Sequence, residues 1–195
     1  AAPISDPFGV TLSETYITSL ALGDLDNDGD LDLLIGKYEG AALFYFENTG
    51  TPESPAFAGP VQNPFNLQPT GDFSLPLLLD LDDDGDLDVL SASYSYDTET
   101  PFYEYQENIG TPGAPDFAAP QVNPFGLSPN RPYAIFPSAV DMDEDGDLDL
   151  MVGGSDYLGM LPDNYRAYVS FVENTGTPQA PAFAGEVNEP FDLLL

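Results

Sequence analysis

Short apolar runs recur along the chain, separated by clusters of Gly, Pro, Asn and Asp. Three of them read LDLLIG, LDVLSA and LDLMVG, and their length and flanking turn residues are typical of buried β-strands rather than helices. An apolar segment precedes each run, a third strand pattern follows it and ends in ENTGTP or ENIGTP, and a short fourth follows in PAFAGPV, PDFAAPQV or PAFAGEV. The pattern predicts an all-β chain with four antiparallel strands per unit.

The four-strand unit is repeated along the chain. A Pro-Phe pair opens each copy, at residues 7, 64, 124 and 190. We therefore predict units over residues 1–63, 64–123 and 124–189, with the start of a fourth unit or an exchanged strand over 190–195. Repeated four-stranded sheets predict β-propeller-like blades. Because closed propellers have at least four blades, we expect three units not to form a closed ring within one chain.

An acidic loop lies between the first two strands of every unit. It reads DLDNDGDLD at residues 24–32, DLDDDGDLD at 80–88 and DMDEDGDLD at 141–149. Five carboxylates in nine residues repel one another, and a hard cation that takes six to eight oxygens, as Ca²⁺ does, removes that repulsion. The glycine at position 6 permits the turn that brings positions 1, 3 and 5 together, while position 7 offers its carbonyl and position 9 its carboxylate. The predicted calcium ligands are Asp24, Asp26, Asp28, Asp30 and Asp32; Asp80, Asp82, Asp84, Asp86 and Asp88; and Asp141, Asp143, Asp145, Asp147 and Asp149.

The loop is not an EF-hand. An EF-hand needs a bidentate Glu at position 12 and a following helix, whereas position 12 here is Ile35, Ser91 or Val152 and the following segment is predicted as a strand. We expect the apolar residues at positions 2 and 8 to turn inward and anchor the loop on a core. The alternative is a solvated acidic turn without metal, and three copies with identical spacing weigh against it.

Charge and composition exclude several classes of function. The chain has 34 acidic and 3 basic residues, a net charge of −31, and 17 of the acids lie in the three loops. This charge excludes nucleic acid and anionic membranes as electrostatic partners. The absence of Cys and His excludes disulfides, thiolate chemistry and imidazole-based acid–base or zinc sites. No apolar run is long enough to span a bilayer, so we predict no membrane insertion.

The predicted calcium loops also indicate a compartment. Calcium sites in extracellular modules fill at about 10⁻⁴–10⁻³ M, a concentration that the cytosol does not reach. We therefore expect an extracellular or cell-surface protein. The chain starts Ala1-Ala2-Pro3 rather than with Met, which predicts that it is processed or excerpted from a longer sequence.

Other residues recur at the period of the repeat. Asn48, Asn108 and Asn174 each precede a glycine by two positions, and we interpret them as structural residues of turns that require positive φ. Recurring aromatics are most simply explained by packing between blades. They are Phe8, Phe65, Phe125 and Phe191, and Phe57, Phe117 and Phe183.

The units differ in length between their second and third strands. The extra residues of units two and three predict enlarged loops at one edge of the array, where binding surfaces commonly arise. Tyrosine has a flat apolar face and a polar tip, which suit it to a glycan or a protein surface. The simpler alternative is that these rings only cover the longer loops. The candidate contact residues are Tyr94, Tyr96, Tyr103, Tyr157, Tyr165 and Arg166.

The loop and the strand that follows it resemble the FG-GAP/VCBS-type repeat family, whose calcium loop reads D-x-D-x-D-G-x-x-D. The same loop type occurs in the propeller of integrin α subunits, and the DLDNDGDLDLL and ENTGTP elements look like bacterial secreted or surface proteins. The resemblance covers three units and implies one calcium ion per unit, held by the five aspartates, with position 7 acting through its carbonyl. Family propellers have about seven blades, and this chain departs from them in its number of repeats.

Three classes of function follow, and they remain open at this point. The first is a non-enzymatic, calcium-stabilised extracellular scaffold, adhesin or fibre subunit. Such a protein would assemble head to tail, by exchange of the terminal FDLLL strand, or with further blades of a longer chain. The alternative is a lectin-like module that binds glycans through its tyrosines. The third and least favoured class is a hydrolase or lyase, because the sequence contains no nucleophile elbow, phosphate loop or metal–histidine motif.

Overall fold

The computed structural model describes residues 7–11, 17–111, 113–130, 135–157, 165–188 and 190, and these ranges are dominated by β-strands. Short 3-10 turns occur at Pro7–Gly9 and Pro124–Gly126. No helix in these ranges has the length and apolarity needed to cross a bilayer. The strands are β1 Ile17–Gly23, β2 Asp32–Lys37, β3 Leu43–Phe46, β4 Val61–Gln62, β5 Phe73–Leu79, β6 Asp88–Ser95, β7 Thr100–Gln106, β8 Gln121–Val122, β9 Ile135–Val140, β10 Asp149–Tyr157, β11 Tyr165–Val172 and β12 Val187–Asn188.

The strands form three four-stranded sheets. Their orders are β1-β2-β3-β4, β5-β6-β7-β8 and β9-β10-β11-β12, and all neighbouring strands are antiparallel. The sheets lie within residues 1–63, 64–123 and 124–189, respectively. The prediction of an all-β chain with four antiparallel strands per unit is confirmed.

The sheets pack face to face, with their first strands β1, β5 and β9 side by side. Because side chains alternate between the two faces of a strand, Leu34 and Tyr45 of the first sheet meet Leu78 and Val89 of the second. The opposite face of the second sheet packs on the third, and Leu90 and Tyr105 lie there against Ile135, Leu150 and Val152. Each pair of neighbouring sheets therefore encloses its own apolar core.

Recurring phenylalanines join one unit to the next. Phe65, which opens the second unit, lies edge-on to Tyr45 of the first, with ring centroids 5.2 Å apart. Phe125 packs in the same way on Tyr105, at 5.1 Å. Phe117 belongs to the core between the first and second sheets, and Phe183 to the core between the second and third. These contacts agree with the expected role of the aromatics in packing between blades, while Phe191 lies outside the described residues.

The described sheets leave one face of each terminal sheet without a neighbouring sheet. On the third sheet, Phe136 is 52% exposed and Val187 is 55% exposed. On the first sheet, Leu20 and Leu22 are exposed, although Val10 and Phe57 cover the part of that face formed by β2 and β3. Within the described ranges the three sheets thus form an open array, as expected from the number of repeats. Apart from Pro190, the terminal segment 190–195 lies outside the described residues.

The enlarged loop expected in the second unit is absent, and that prediction is wrong. The additional residues lengthen the strands: β6 has 8 residues and β7 has 7, against 6 in β2 and 4 in β3. Only residues 96–99 connect β6 to β7. A longer hairpin gains ladder hydrogen bonds and cross-strand packing, which a longer loop does not.

The ENTGTP turn depends on its glycine for a reason that the sequence did not reveal. Gly50 does not adopt positive φ, contrary to the expectation for this turn. A Cβ at Gly50 would instead lie 2.4 Å from the carbonyl oxygen of Ser54 and 2.7 Å from the nitrogen of Ala56. Asn48 supports the turn, since its Oδ1 accepts hydrogen bonds from the backbone N–H groups of Gly50 and Ala56. The structural role predicted for the asparagine agrees with these contacts.

Candidate metal centre

The acidic loops connect the first strand of each sheet to the second. The glycine at position 6 has a φ of +98°, +96° and +99° in Gly29, Gly85 and Gly146, a region that favours glycine. The residue at position 4 is also left-handed, with φ values of 56°, 56° and 63° in Asn27, Asp83 and Glu144. These two reversals per loop fold the chain back on itself and turn its carboxylates inward.

The folded loop brings the aspartates at positions 1, 3 and 5 together. One carboxylate oxygen from each of the three lies within 4.8 Å of the other two in every loop. The three groups are Asp24, Asp26 and Asp28; Asp80, Asp82 and Asp84; and Asp141, Asp143 and Asp145. Each unit therefore presents an all-oxygen donor set that could hold a metal ion.

Several carboxylate oxygens of the loops are buried without a hydrogen-bond donor. At position 3 they are Asp26 Oδ1 and Asp82 Oδ1, and at position 7 they are Asp30 Oδ1 and Asp147 Oδ1. Asp141 Oδ1, at position 1 of the third loop, is in the same state. A buried carboxylate oxygen without a donor is costly, and an oxygen-seeking cation would supply the missing partner. The chemistry of the donor set fits a hard dication.

The aspartate at position 9 is not part of these triplets and contacts the rest of the sheet. Asp32 is fully buried, and its Oδ1 accepts a hydrogen bond of 2.8 Å from the Asn48 backbone N–H. Its Oδ2 accepts from the Tyr45 hydroxyl at 2.9 Å and from the Leu25 N–H at 3.2 Å. Asp88 has the same three donors, from Asn108, Tyr105 and Leu81. Position 9 thus ties the loop to the third strand, a role that the sequence analysis did not foresee.

Tyr45 and Tyr105 are the functional residues that sequence reasoning missed. Each stands three residues before the turn asparagine, in the third strand of its sheet. The available signal was the tyrosine shared by FYFEN and YEYQEN. From the sequence alone this tyrosine is indistinguishable from a core aromatic residue. Only the strand register brings its hydroxyl within hydrogen-bond distance of the aspartate at position 9.

Burial and mutual repulsion raise the pKa of several loop carboxyls. Burial raises the pKa of Asp88 to about 7, although its hydrogen bonds to Asn108 and Tyr105 act in the opposite direction. Burial and then the Asp145 charge raise the pKa of Asp147 to about 6. The pKa of Asp26 is raised by burial and then by the charges of Asp32 and Asp28. Removing water from crowded carboxylates disfavours their charged form, so these carboxyls hold their protons more tightly than exposed aspartates do.

The apolar residues of the loop anchor it less uniformly than expected. At position 2, Leu25 and Leu81 are buried, at 4% and 3% exposure, but Met142 is 40% exposed. At position 8, Leu87 and Leu148 pack against the cores, whereas Leu31 is 56% exposed. The expectation of inward anchoring is therefore wrong for Leu31 and Met142. Both lie next to terminal sheets, where the described residues include no further sheet to cover them.

The candidate contact residues do not form one surface. The prediction of Tyr103 as a contact residue is wrong, because its side chain is only 1% exposed and lies in the core between the second and third sheets. Tyr94 and Tyr96 lie in an aromatic cluster with Tyr38 and Phe73, which we call the aromatic ladder. Its rings are 5.5–5.7 Å apart, and the Tyr96 hydroxyl donates a hydrogen bond of 2.7 Å to the Tyr38 hydroxyl.

The remaining candidates lie at the far end of the hairpin in the third unit. The backbones of Tyr157 and Tyr165 pair with each other there, while their side chains lie outside the described residues. Arg166 is exposed and has an interaction partner. The structure therefore brings Tyr94 and Tyr96 together, buries Tyr103 in the core, and places the backbones of Tyr157 and Tyr165 in the hairpin of another unit.

Comparison with known proteins identifies the family of the chain. A search of the curated proteins found no match. The family described as FG-GAP-like repeat matches residues 24–91 and again residues 80–152. Both matched segments begin at the first aspartate of an acidic loop and extend through the next loop to the strand after it. Since these matches span more than half of the sequence, the chain belongs to the FG-GAP-like repeat family.

Proposed function

We propose that the protein is a non-catalytic, calcium-stabilised extracellular repeat scaffold. The observation that carries this proposal is the triplet of converging aspartates in each of three loops, together with buried carboxylate oxygens that have no donor. Calcium suits these sites because it accepts all-oxygen ligands in flexible geometry. FG-GAP repeats commonly bind calcium and are typical of extracellular proteins, which supports both the metal and the compartment. A bacterial surface or secreted protein is the host context that we favour.

In this proposal the aspartates at positions 1, 3 and 5 would hold the ion. Ligation neutralises part of the repulsion that keeps the loop from closing. Because each loop joins the first two strands of a sheet, a closed loop stabilises that sheet, and folding becomes linked to external calcium. Committing these carboxylates to ligation leaves them unsuited to acid–base catalysis, in line with a non-enzymatic role.

Removal of a single ligand tests the calcium sites. We expect Asp28→Ala and Asp84→Ala each to reduce the stabilisation that millimolar calcium gives by about 1–2 kcal/mol, the contribution of one weak site. The measurement is thermal unfolding in calcium and in chelator, and Asp97→Ala, an exposed turn aspartate outside the loops, is the matched control. Identical melting curves of the native chain in calcium and in chelator would refute the calcium role.

The scaffold role further predicts association through the terminal sheets. The outer face of the third sheet exposes Phe136, Val140 and Val187, and the outer face of the first exposes Leu20 and Leu22. The equivalent faces of the second sheet are covered by the first and third sheets. We propose that a second copy of the chain covers these faces by head-to-tail stacking, which extends the packing already present inside the molecule.

Light scattering over a concentration series in calcium tests this association. The native chain is expected to grow in mass with concentration, and Phe136→Asp, which places a charge on the exposed apolar face, is expected to remain monomeric. Glu39→Asp, which alters an exposed residue in the β2–β3 connection, serves as a control with unchanged assembly. A native chain that stays monomeric at about 100 μM would count against a self-assembling scaffold.

The aromatic ladder supports glycan binding as a second candidate function. Tyr38 and Tyr96 are 40% and 46% exposed, and flat rings of this kind stack on sugar faces. Glycan-array binding in calcium buffer tests it, with loss of reproducible signals in Tyr96→Ala as the supporting result. Tyr103→Phe is the control, because this buried ring should not affect a surface site. Absence of binding to any glycan would remove this candidate and leave the scaffold proposal intact.

A further inference from the structure

The three loops differ in how the aspartate at position 9 is held. In the first two loops this carboxylate accepts three hydrogen bonds, including one from a tyrosine hydroxyl at 2.9 Å in Asp32 and 2.8 Å in Asp88. Asp149 of the third loop is equally buried, at 1% exposure. Within the described residues it accepts only two, from the backbone N–H groups of Asn174 at 2.8 Å and Met142 at 3.1 Å.

A single residue explains the missing donor. Tyr45 pairs with Leu34 and Tyr105 pairs with Leu90 in the registers of their sheets. In the third sheet the residue opposite Met151 is Phe171, which likewise stands three residues before the turn asparagine. Its ring has the same position in the strand register as Tyr45 and Tyr105, but it has no hydroxyl to donate.

The first aspartate of the third loop also accepts fewer hydrogen bonds than its counterparts. In the first two loops the N–H of position 5 donates to Oδ1 of position 1, at 3.0 Å for Asp28 and 3.1 Å for Asp84. In the third loop, Asp145 N–H donates instead to Asp143 Oδ1 at 3.3 Å, and Asp141 Oδ1 is buried without a donor. The chain thus aligns the first carboxylate of the third loop with fewer contacts than in the other two.

The tyrosines of the first two loops are also fixed by the following unit. The edge-on contacts of Phe65 with Tyr45 and of Phe125 with Tyr105 hold each phenol ring in the orientation that reaches its aspartate. A restrained donor loses little entropy when it bonds, so it contributes more to ordering the loop. Hydrogen bonds that orient groups next to a metal typically change its affinity 10–100-fold.

We propose that the chain has two classes of calcium site: two tighter sites in loops 24–32 and 80–88, and a weaker one in loop 141–149. The difference arises because Phe171 leaves the Asp149 carboxylate without the hydroxyl that orients its counterparts. This inference rests on the proposed calcium binding. It makes the third unit the part of the chain whose order responds last as calcium rises.

Calorimetric titration of one loop at a time tests the two classes. Paired substitutions at position 5 leave a single competent loop: Asp84→Ala with Asp145→Ala leaves the first, Asp28→Ala with Asp145→Ala leaves the second, and Asp28→Ala with Asp84→Ala leaves the third. We expect similar calcium dissociation constants for the first two loops and a value about tenfold higher for the third. Circular dichroism checks that each variant is folded.

Restoring the hydroxyl provides the sharper test. In the variant with only the third loop competent, Phe171→Tyr is expected to tighten calcium binding about tenfold, towards the value of the first loop. Tyr45→Phe in the variant with only the first loop competent should weaken binding by a similar factor. Val169→Thr is the matched control, because it adds a hydroxyl to the same strand and face as Phe171 but lies opposite Gly153, away from Asp149.

The outcomes separate this inference from the proposed function. Three equal dissociation constants, or a Phe171→Tyr variant that behaves like Val169→Thr, would overturn the two classes while calcium binding stands. No calcium binding by any loop of the folded native chain would overturn both. If a paired variant fails to fold, the comparison is made in the otherwise native chain. There Phe171→Tyr should convert a titration with two classes into one with a single class, and an unchanged titration would reject the inference.

Discussion

At the scale of single residues, the aspartate at position 9 is a buried carboxylate that joins the acidic loop to the third strand. Asp32 has no solvent exposure, yet its carboxylate accepts bonds from three protein donors. These donors offset the cost of burial and fix the geometry of the loop. The carboxylates at positions 1, 3 and 5 are more exposed, and they are the ones that we propose as ligands of the ion. In the proposed calcium site, one motif would thus divide its aspartates between positioning and ligation.

Backbone conformation at position 4 gives a first residue-level prediction. Asn27 and Glu144 both have positive φ, a region that asparagine tolerates better than glutamate. Glu144→Asn is therefore expected to raise the free energy of unfolding by about 0.5–1 kcal/mol, and the reciprocal Asn27→Glu to lower it by a similar amount. Urea unfolding in chelator measures both without interference from calcium. Changes of the same sign in the two variants would contradict the conformational explanation.

Buried Glu104 gives a second prediction, on pH. It is 1% exposed, its carboxylate accepts bonds from the Thr70 N–H and hydroxyl, and burial raises its pKa above the ordinary 4.5. A carboxyl whose pKa is raised on folding holds its proton more tightly in the native state, so its contribution to stability falls as pH rises above 4.5. Glu104→Gln, which keeps the shape and removes the charge, should stabilise the protein at pH 8, with a gain that shrinks towards pH 5.

Thermal unfolding in chelator at the two pH values measures this effect. Glu47→Gln, at an exposed position after β3, is the control and should not show the same pH-dependent gain. A Glu104→Gln variant that is less stable at pH 8 than the native chain would mean that the charge itself is needed for the bond to Thr70.

At the scale of elements, the turn after the third strand supports the acidic loop. The backbone N–H of its asparagine donates a hydrogen bond to the aspartate at position 9. The side-chain oxygen of the same asparagine accepts hydrogen bonds from backbone N–H groups of the turn. The turn can only be this tight because glycine lets the carbonyl of Ser54 approach. Loop, third strand and turn therefore form one connected unit in each sheet.

The glycine of this turn gives an element-level prediction. A Cβ at Gly50 would lie 2.4 Å from the Ser54 carbonyl oxygen, whereas a Cβ at Gly59 would have nothing within 4 Å. Gly50→Ala is expected to destabilise the chain by about 1–3 kcal/mol, and Gly59→Ala should have little effect. Thermal unfolding in calcium and in chelator compares the two variants. Equal behaviour of the two would show that the turn adjusts at no cost.

Local patterns predicted the elements well because repetition makes the signal redundant. The apolar runs after each loop gave β2, β6 and β10, and the invariant spacing of the aspartates gave their convergence. Registers and cross-sheet contacts were not predictable, because they depend on residues far apart in sequence. The bond from Tyr45 to Asp32 and the burial of Tyr103 are of this kind. The extension of β6 and β7 was missed because the composition of the extra residues is compatible with longer strands and with a longer loop.

At the scale of the whole molecule, stability is a balance between charge repulsion and the packing of the apolar cores. A net charge of −31 opposes compact folding through self-repulsion, and the loops concentrate that repulsion between the first two strands of every sheet. The cores between the sheets supply the counteracting hydrophobic stabilisation. The balance should therefore depend strongly on anything that neutralises the loops, whether a proton or a cation.

This balance predicts opposite effects of pH with and without calcium. The pKa values of Asp88 and Asp147 are raised to about 7 and about 6, from an ordinary 3.8. The calcium-free native state therefore holds protons that the unfolded chain has lost, and its stability should fall as pH rises from about 5.5 to 8. Calcium bound at the proposed sites would favour the ionised form of both carboxyls, so the calcium affinity should rise with pH over the same range.

Thermal unfolding at pH 5.5, 6.5 and 8, in chelator and in 2 mM calcium, tests both halves of this prediction. The melting temperature in chelator should fall with pH, and the increase produced by calcium should grow. Asp88→Asn removes the most strongly shifted of these carboxyls, so it should flatten the trend in chelator and reduce the calcium effect at pH 8. A calcium effect of constant size from pH 5.5 to 8 would mean that the ion binds without displacing protons, and the loops would then not be the groups that link calcium to folding.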